Sequence, residues 1–353
     1  MSEIPVSPWR GQDLPPGSVT DLEIPISESY VGIHVRIPVR VIRGLQAGPT
    51  VGVTAALHGD EINGTGAIRD LAADPDLKLI RGTLILVPVL NVLAFDRHSR
   101  YLPDRRDLNR CFPGSPEGSS AARVAHQIFT ELVPRCDAII DLHTAAVRRT
   151  NYPNVRGNLS NPEIAAIAKA FGCEVIVDCE GVPGTLRREA TRRGCPTIIL
   201  EGGEVWKVEP GIVDLAARGI KNVLKHFEMI AGTAEIPDRT VIAKQTRWVR
   251  ATRGGFLRFH VHPGALVTEG QLLATNTDLL GNELGRMESP FDGVLIGMTT
   301  IPSIAPGGPV CHIARLPRAT APEDLEEVRG DGDTLENRLV EDLASNVRVE
   351  EGD

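Results

Sequence analysis

Three apolar runs in this chain each end at a side chain that can bind a metal ion or carry a proton. The first leads into Thr54–Gly64, TAALHGDEING, which contains His58 and Glu61. The second run, DAIIDLHTA, reaches His143, and the third, PTIILEGGE, reaches Glu201. Functional groups in open α/β sheets gather at the carboxyl ends of strands, so the three runs indicate strands that share one site. This pattern predicts an α/β fold with a site at one edge of its sheet.

A zinc site is the chemistry that these residue types favour. Imidazole and carboxylate groups are zinc ligands, and a catalytic zinc ion takes three protein ligands and keeps one position open. On its own, the pair His58 and Glu61 also fits a solvated loop. With His143 as the third ligand, we expect one Zn²⁺ per chain, although a glutamate ligand is also compatible with cobalt or manganese.

The ordered motifs of this chain resemble those of the zinc-dependent succinylglutamate desuccinylase/aspartoacylase family, which is related to the metallocarboxypeptidases. They are HGDE with His58 and Glu61, DLNRCFPG at Asp107–Gly114, DLHTA with His143, and the strand that ends at Glu201. Together they cover about 150 residues. The resemblance implies a hydrolase that removes an acyl group from a small N-acyl amino acid, and it leaves the acyl group and the amino acid open.

The resemblance also implies catalytic roles for a carboxylate and an arginine. Glu201 is expected to take a proton from the attacking water and pass it to the leaving amine, although it also suits a turn cap among glycines. The cation beside the developing oxyanion is best matched by Arg100. Arg105 and Arg106 remain alternatives, because they lie in what looks like a two-residue expansion before DLNR.

Four further residues are expected to hold the substrate. Asn109 and Arg110 match the family pair that grips a free carboxylate, a task suited to a planar guanidinium. Tyr152 and Arg156 follow His143 in a polar stretch and are assigned to the amino-acid side chain by position alone. A metallocarboxypeptidase that cleaves a C-terminal peptide bond is the nearest alternative function. A metal-binding relative that has lost the reaction is the other alternative.

The chain is expected to divide at two points, after residue 232 and after residue 316. Residues 1–232 form the predicted zinc hydrolase domain, with a mostly parallel or mixed sheet and helices on both faces. Residues 233–316 contain a repeat, GGFLRFHVHPG echoed by FDGVLIGMTTIPSIAPGG, that resembles the biotinyl/lipoyl barrel-sandwich fold. The linking hairpin offers no lysine for modification, so we expect an all-β capping domain without a swinging cofactor. Residues 317–353 are expected to be a disordered acidic tail with a short helix near 334–343.

Helical periodicity and capping residues predict the helices of the first domain. They are expected near 63–73, 119–132, 162–171, 185–193 and 211–231. The alternating pattern of residues 19–43 indicates a hairpin or edge strands. His260 and His262 alternate along one later strand and are a weak candidate for a second metal site.

Charge and cysteine usage restrict the classes of partner. The 353-residue chain has a net charge of −8, and its tail alone holds twelve acidic residues against four arginines. An acidic chain of this kind argues against a nucleic-acid or anionic-membrane partner. Six scattered cysteines without a CxxC pair, no apolar run of membrane-spanning length and no secretory signal favour a cytoplasmic protein. The sequence leaves open whether it acts as a monomer or a homo-oligomer.

Overall fold

The computed structural model describes residues 4–28, 31–317, 320 and 334–345. Most of the chain is organised around one mixed sheet of 13 strands, which confirms the predicted α/β class. The strands of the first region are β1 (Val19–Glu28), β2 (His34–Arg43), β3 (Gln46–Ala55), β4 (Arg81–Val87), β5 (Ala138–His143), β6 (Arg149–Gly157), β7 (Val175–Asp178), β8 (Thr197–Glu204) and β9 (Val241–Ala243).

The strand order places the parallel strands at the centre of the sheet. It begins β1–β2–β4–β3–β5–β8–β6, and the four strands from β4 to β8 in this order run parallel to one another. At one edge β1 and β2 pair in antiparallel fashion, as the alternation in residues 19–43 predicts. Strand β6 runs antiparallel to β8, so the parallel part of the sheet ends at β8.

Helices cover both faces of this sheet. They are α1 (Asn63–Ala73), α2 (Val92–Phe95), α3 (Ser120–Leu132), α4 (Pro162–Phe171), α5 (Leu186–Arg192) and α6 (Pro210–His226). Helices α1, α4 and α6 pack on one apolar core, and α3 and α5 pack on the other. Strand residues alternate between the two cores, since Leu84 and Leu86 of β4 face the first and Ile85 faces the second. None of the helices in the described ranges is long and apolar enough to cross a bilayer.

Local capping chemistry explains where these helices begin and end. The Ser119 side chain accepts a hydrogen bond from the backbone N–H of Ala122 and so caps α3. Asn161 caps α4 in the same way, and Pro162 occupies the first turn, where no N–H is needed. Gly172 ends α4 in a left-handed conformation that a residue with a side chain adopts less readily.

The C-terminal region is β-rich, as the internal repeat predicts. Its strands are β10 (Thr246–Arg250), β11 (Gly255–Phe259), β12 (Leu266–Val267), β13 (Leu272–Thr277), β14 (Glu283–Glu288), β15 (Gly293–Thr299), β16 (Ser303–Ile304) and β17 (Pro309–Arg315). Strands β14–β13–β11–β16 form a separate four-stranded sheet. The other four belong to the large sheet, because β15 pairs with β6 in antiparallel fashion. The C-terminal region is therefore continuous with the first region through strand pairing.

The last described element is helix α7 (Leu335–Ser345), which corresponds to the short helix expected in the acidic tail. Its Leu339 and Leu343 are buried, and Glu336 forms an ion pair with Arg218 of α6. The remaining tail residues after 320 lie outside the described residues, so the expectation of disorder there stays a prediction.

Candidate metal centre and catalytic cavity

The carboxyl ends of β3, β5 and β8 meet at one edge of the sheet. Strands β3 and β8 flank β5, and the register pairs His143 with Glu201. His58 and Glu61 lie in the short loop between β3 and α1, where the Glu61 N–H donates to the His58 carbonyl oxygen over 3.1 Å. The four residues identified from their position after apolar runs are therefore brought to the same place.

His58, Glu61 and His143 form a buried cluster whose ligand atoms lie within 4.8 Å of one another. One Glu61 oxygen lies 2.7 Å from His58 Nδ1, and the other lies 2.9 Å from His143 Nδ1. Within the described part of the chain, no other set of three such side chains is grouped this closely. His260 and His262 instead contact the Thr275 hydroxyl and the Pro263 carbonyl, so the second metal site is not observed there.

Two further carboxylates hold the imidazole rings from behind. His58 Nε2 lies 3.2 Å from Asp107, and His143 Nε2 lies 2.8 Å from Asp141. Asp141 is itself fixed by the Thr54 hydroxyl at 2.6 Å. We assign the Nε2 hydrogens to these contacts, which turns the Nδ1 atom of each ring toward the centre of the cluster.

The electrostatics of the cluster fit a cation. Burial lowers the pKa of His58, but Glu61 and Asp107 outweigh burial and raise it. Burial acts in the same way on His143, where Asp141 and Glu61 raise the pKa well above its usual range. The carboxylates thus favour positive charge between the rings, which a divalent metal ion supplies while releasing the protons. Two imidazoles and one carboxylate form a donor set that could hold a divalent metal ion.

Arg100 is the arginine that the structure places at this cluster. It donates to Glu61 over 3.0 Å and to Asp107 over 3.0 Å. Burial raises the pKa of Asp107, but His58 and Arg100 outweigh it and hold that pKa well below its usual range. Arg105 and Arg106 are exposed and do not line the adjoining cavity. Of the three candidate arginines, Arg100 is therefore the one that lies beside the cluster.

Glu201 lies in the same cavity and is only partly buried. Its Oε2 accepts a hydrogen bond of 3.0 Å from Asn151 Nδ2. Arg156 approaches the other oxygen at 3.6 Å and is itself oriented by Asn154. Glu201 is therefore held by one hydrogen bond and remains accessible to a small molecule.

The cavity has a volume of about 340 Å³ and is strongly cationic. Glu61 and Glu201 are the acidic side chains among the described lining residues. Its arginines are Arg100, Arg110, Arg149, Arg156 and Arg187. Of these, Arg110, Arg149 and Arg187 form no ion pair with a carboxylate among the described residues. Such a lining favours a negatively charged ligand.

Asn109 and Arg110 both line the cavity, as the DLNR motif predicts. They lie in a 3₁₀ turn, Leu108–Arg110, which the Asp107 side chain caps by accepting from the Asn109 N–H. The Asn109 Oδ1 accepts from the backbone N–H of Leu186, so the amide is locked in orientation. Arg110 is exposed at the cavity and donates to the Asn109 carbonyl oxygen.

The predicted substrate contact of Tyr152 is wrong. The ring is buried in the C-terminal core beside Leu266, and its hydroxyl donates to Glu174 over 2.6 Å. It is absent from the residues that line the cavity, whereas its neighbour Asn151 is present. Successive residues of a strand point to opposite faces of the sheet, so Asn151 and Tyr152 cannot both face the cavity.

Several cavity residues were not identified from the sequence. Trp248 and His312 come from β10 and β17 of the C-terminal region, and Arg149 and Asn151 come from β6. The alternation of β6 could have assigned Arg149 and Asn151 to one face. For Trp248 and His312 there was no local signal, because they reach the cavity only through pairing of distant strands.

Comparison with known proteins agrees with this geometry. Residues 47–227 match the model of the succinylglutamate desuccinylase/aspartoacylase catalytic domain. The chain is 30% identical to an N-alpha-acetyl-L-2,4-diaminobutyric acid deacetylase of Halomonas elongata, over 84% of this chain and 90% of that protein. It is 26% identical to a probable aspartoacylase of a Synechococcus species, over 60% of this chain and 73% of that protein.

Solved structures give the same result for the fold. A succinylglutamate desuccinylase/aspartoacylase from Rhodobacter sphaeroides superposes with a TM-score of 0.75 at 28% identity, covering 85% of this chain and 96% of that one. The product-bound ectoine utilization protein EutE from Ruegeria pomeroyi also gives 0.75 at 28% identity, covering 84% and 95%. The ordered motifs, the buried His–Glu–His cluster and these matches agree, and the chain belongs to the succinylglutamate desuccinylase/aspartoacylase family.

Proposed function

We propose that this protein is a zinc-dependent hydrolase that removes the acyl group from a small N-acyl amino acid. The observation that carries the proposal is the convergence of His58, Glu61 and His143 at the edge of a cavity that also holds Glu201 and Arg100. The 30% identical relative is named as a deacetylase of an acylated amino acid, which supports the same substrate class here.

His58, Glu61 and His143 are the residues that would hold the metal ion. When bound, zinc supplies Lewis acidity and lowers the pKa of a coordinated water toward about 7. Asp107 and Asp141 keep the two imidazole rings in the orientation that this role requires. Both aspartates are therefore positioning residues for the ligands.

Glu201 is the proposed general base and acid. It is expected to take a proton from the attacking water and return one to the leaving amine nitrogen. Asn151 donates to Oε2 of Glu201, which leaves Oε1 to move the proton and fixes the carboxylate in the cavity. Arg156 approaches Oε1 at 3.6 Å, so a cation lies beside the proposed base.

Arg100 is the proposed donor to the oxyanion that develops on the acyl carbonyl. Asp107 anchors one of its terminal nitrogens, so the guanidinium is held in place before the substrate binds. The other terminal nitrogen contacts Glu61 at 3.0 Å and His58 Nδ1 at 3.2 Å, which places it directly beside the proposed metal ligands. A preoriented donor of this kind avoids reorganisation during the reaction.

Asn109 and Arg110 are proposed to hold the α-carboxylate of the substrate. Arg110 has no carboxylate partner among the described residues, and it points its exposed guanidinium at the cavity. Asn109 is locked through its Oδ1, so its amide N–H₂ is the group left to donate. Arg156, which lines the cavity and approaches Glu201 at 3.6 Å, is proposed to contact the amino-acid side chain.

The small volume of the cavity and its wall from the C-terminal region favour a deacylase over a carboxypeptidase. Its far wall is built by Trp248 and His312 of the C-terminal region, and its volume of about 340 Å³ suits a small molecule. A long peptide would need an open groove on that side. The retention of Glu201 and Arg100 argues against a relative that binds metal without turnover.

We also infer that the protein acts in the cytoplasm, as a monomer or a homo-oligomer. All six cysteines are free thiols, which agrees with a reducing compartment. The division into domains at 1–232, 233–316 and 317–353 is kept as a proposal. In this division, Trp248 and His312 of the second domain complete the cavity wall.

The deciding experiment measures amine release from N-acyl amino acids and from blocked dipeptides, with zinc-loaded and chelator-treated protein in parallel. We expect release from the acyl amino acids that chelation abolishes and added zinc restores. Release from the dipeptides alone would indicate a carboxypeptidase. Bound zinc without release from any substrate would contradict the proposed function.

A further inference from the structure

We propose that His312, stacked on Trp248 and flanked by Arg149, forms a subsite that binds a second carboxylate of the substrate. The inference rests on the proposed function and names a specificity element for the same cavity. Trp248 and His312 come from the C-terminal region, and Arg149 is the first residue of β6.

Strand pairing places these residues in one row on one face of the sheet. Asn151 of β6 pairs with Gly297 of β15, Gly297 pairs with His312 of β17, and His312 pairs with Trp248 of β10. Side chains directly opposite one another on neighbouring strands share a face. Arg149 lies two residues before Asn151 and therefore points to that face as well.

The row leads from the proposed base to the stacked rings. Asn151 holds Glu201, and the backbone at Gly297 approaches this row closely, since a Cβ there would lie 2.6 Å from Asn151 Oδ1 and 3.6 Å from His312 Cβ. Glu201, Asn151 and His312 all line the same cavity, which therefore reaches from the proposed base to the stacked rings. Any group bound at His312 is attached to a substrate whose amide lies near Glu201.

The His312 ring is held rigidly but keeps its polar atoms available. It stacks on Trp248 with 4.5 Å between ring centroids and 10° between planes, and the Arg149 guanidinium lies over Trp248 at 5.1 Å. The imidazole has no hydrogen-bond partner among the described residues, although His312 is only 8% exposed and lines the cavity. Burial, together with Arg156 and Arg149, lowers the pKa of His312 to about 3. A neutral ring with a free N–H therefore faces the cavity at neutral pH.

The surrounding charge identifies the partner of that N–H. Arg149 and Arg156 lie close enough to act on His312, and Arg149 has no carboxylate partner among the described residues. A carboxylate here would accept from the imidazole and neutralise the cationic surroundings. An ammonium group, such as the free side-chain amine of an acylated diaminobutyric acid, would be repelled by both arginines.

The second carboxylate could belong to the amino acid or to the acyl group of the substrate. Pairs of matched substrates distinguish these two cases. N-acetyl-L-glutamate carries it on the amino acid, and N-acetyl-L-glutamine is the neutral counterpart. N-succinyl-L-alanine carries it on the acyl group, and N-butanoyl-L-alanine is the neutral counterpart. With zinc-loaded protein we expect at least one of the two acids to have a kcat/KM about tenfold or more above its counterpart, and the arm that responds names the source.

Two variants of one residue test the assignment to His312. His312→Phe keeps a flat ring against Trp248 and removes the N–H, so the KM of the preferred dicarboxylate should rise about 10- to 100-fold while its neutral counterpart changes little. His312→Gln restores a donor and should recover part of that loss. His126→Gln, on α3 outside the cavity, is the control and should match the wild type.

Failure of the subsite is distinguishable from failure of the proposed function. If His312→Phe loses the same activity on acid and on neutral substrates, the subsite is overturned while the deacylase function stands. A wild-type preference for N-acetyl-L-2,4-diaminobutyrate over the dicarboxylates would have the same meaning. If no substrate releases an amine, binding of succinate against butanoate, followed by tryptophan fluorescence, still tests the subsite. Tighter binding of succinate that His312→Phe removes would support it, and equal binding of the two acids would overturn it.

Discussion

At the scale of single residues, the site is held together by carboxylates that each contact two other side chains. Glu61 places one oxygen on each histidine of the cluster, and Asp107 contacts both His58 and Arg100. Burial raises the pKa of Glu61, but the histidines outweigh it and hold that pKa well below its usual range. Glu201 differs, because it is held by Asn151 and kept free of the cluster. These contacts separate Glu61, the carboxylate proposed to bind the metal ion, from Glu201, the carboxylate proposed to carry the proton.

Glu201→Gln removes the proposed proton carrier and preserves the shape of the side chain. We expect kcat to fall about 10²- to 10⁴-fold, since general acid–base catalysis contributes about that much. The zinc content should remain at one ion per chain, because Glu201 is outside the ligand cluster. Metal analysis and steady-state kinetics on the same preparation check this. Turnover near the wild-type level would remove Glu201 from the mechanism.

His312 gives a pH dependence of stability whose sign follows from its pKa. That pKa is lowered from 6.5 to about 3, mainly by burial and then by Arg156 and Arg149, so the unfolded chain binds the extra proton between these values. Stability is therefore fully present above about pH 6.5 and is lost as the pH falls toward 3. Between pH 7 and pH 4.5 the loss from this group is about 2 to 3 kcal/mol.

The non-titrating variant His312→Gln isolates this contribution. Urea titrations of both proteins at pH 7 and pH 4.5 should show a smaller decrease in unfolding free energy for the variant. Parallel decreases in the two proteins would show that His312 is protonated in the folded state at pH 4.5.

At the scale of elements, β6 connects the two regions and orients the base. Its first residues pair with β15, its last residues pair with β7, and its other edge pairs with β8. Asn151, which holds Glu201, lies at the point where β6 meets Gly297 of β15. The packing of the C-terminal region is therefore coupled to the geometry of the proposed catalytic carboxylate.

Gly297→Ala tests this coupling. A Cβ at Gly297 would lie 2.6 Å from Asn151 Oδ1, so Asn151 must move and its hydrogen bond to Glu201 is weakened. We expect kcat to fall about tenfold with little change in KM, the effect of losing one hydrogen bond to a charged group. Gly285→Ala in β14, where nothing lies within 4 Å of the added Cβ, is the matched control. Unchanged kcat in Gly297→Ala would show that Glu201 does not depend on this contact.

At the scale of the whole molecule, helix α7 lies where the two regions meet. Leu339 packs against Gly211 of α6, while Val340 lies beside Gly264 of the C-terminal region. Leu343 is buried with Leu266 in the core of the C-terminal strands. A helix in the acidic tail thus contacts both parts of the fold, in addition to the β6–β15 pairing.

Leu339→Ala measures how much this helix contributes. A fully buried leucine loses about 2 to 5 kcal/mol on truncation, so the unfolding free energy should decrease by that order. Glu341→Ala, on the exposed side of the same helix, should change it by less than about 0.5 kcal/mol. Urea titration of both variants checks this. Equal stabilities would show that α7 does not pack on the folded protein in solution.

The sequence by itself determined most of the elements and the side chains that form the candidate metal centre. Periodicity and caps placed α3 and α4 closely, and three strand ends identified His58, Glu61, His143 and Glu201, because these signals are local. Tertiary structure decided which face of β6 lines the cavity, and so excluded Tyr152 and admitted Asn151. It also brought in a wall from the C-terminal region. Such contacts depend on how strands from distant parts of the chain pair with one another. The local pattern of one strand carries no information about which strand will lie beside it.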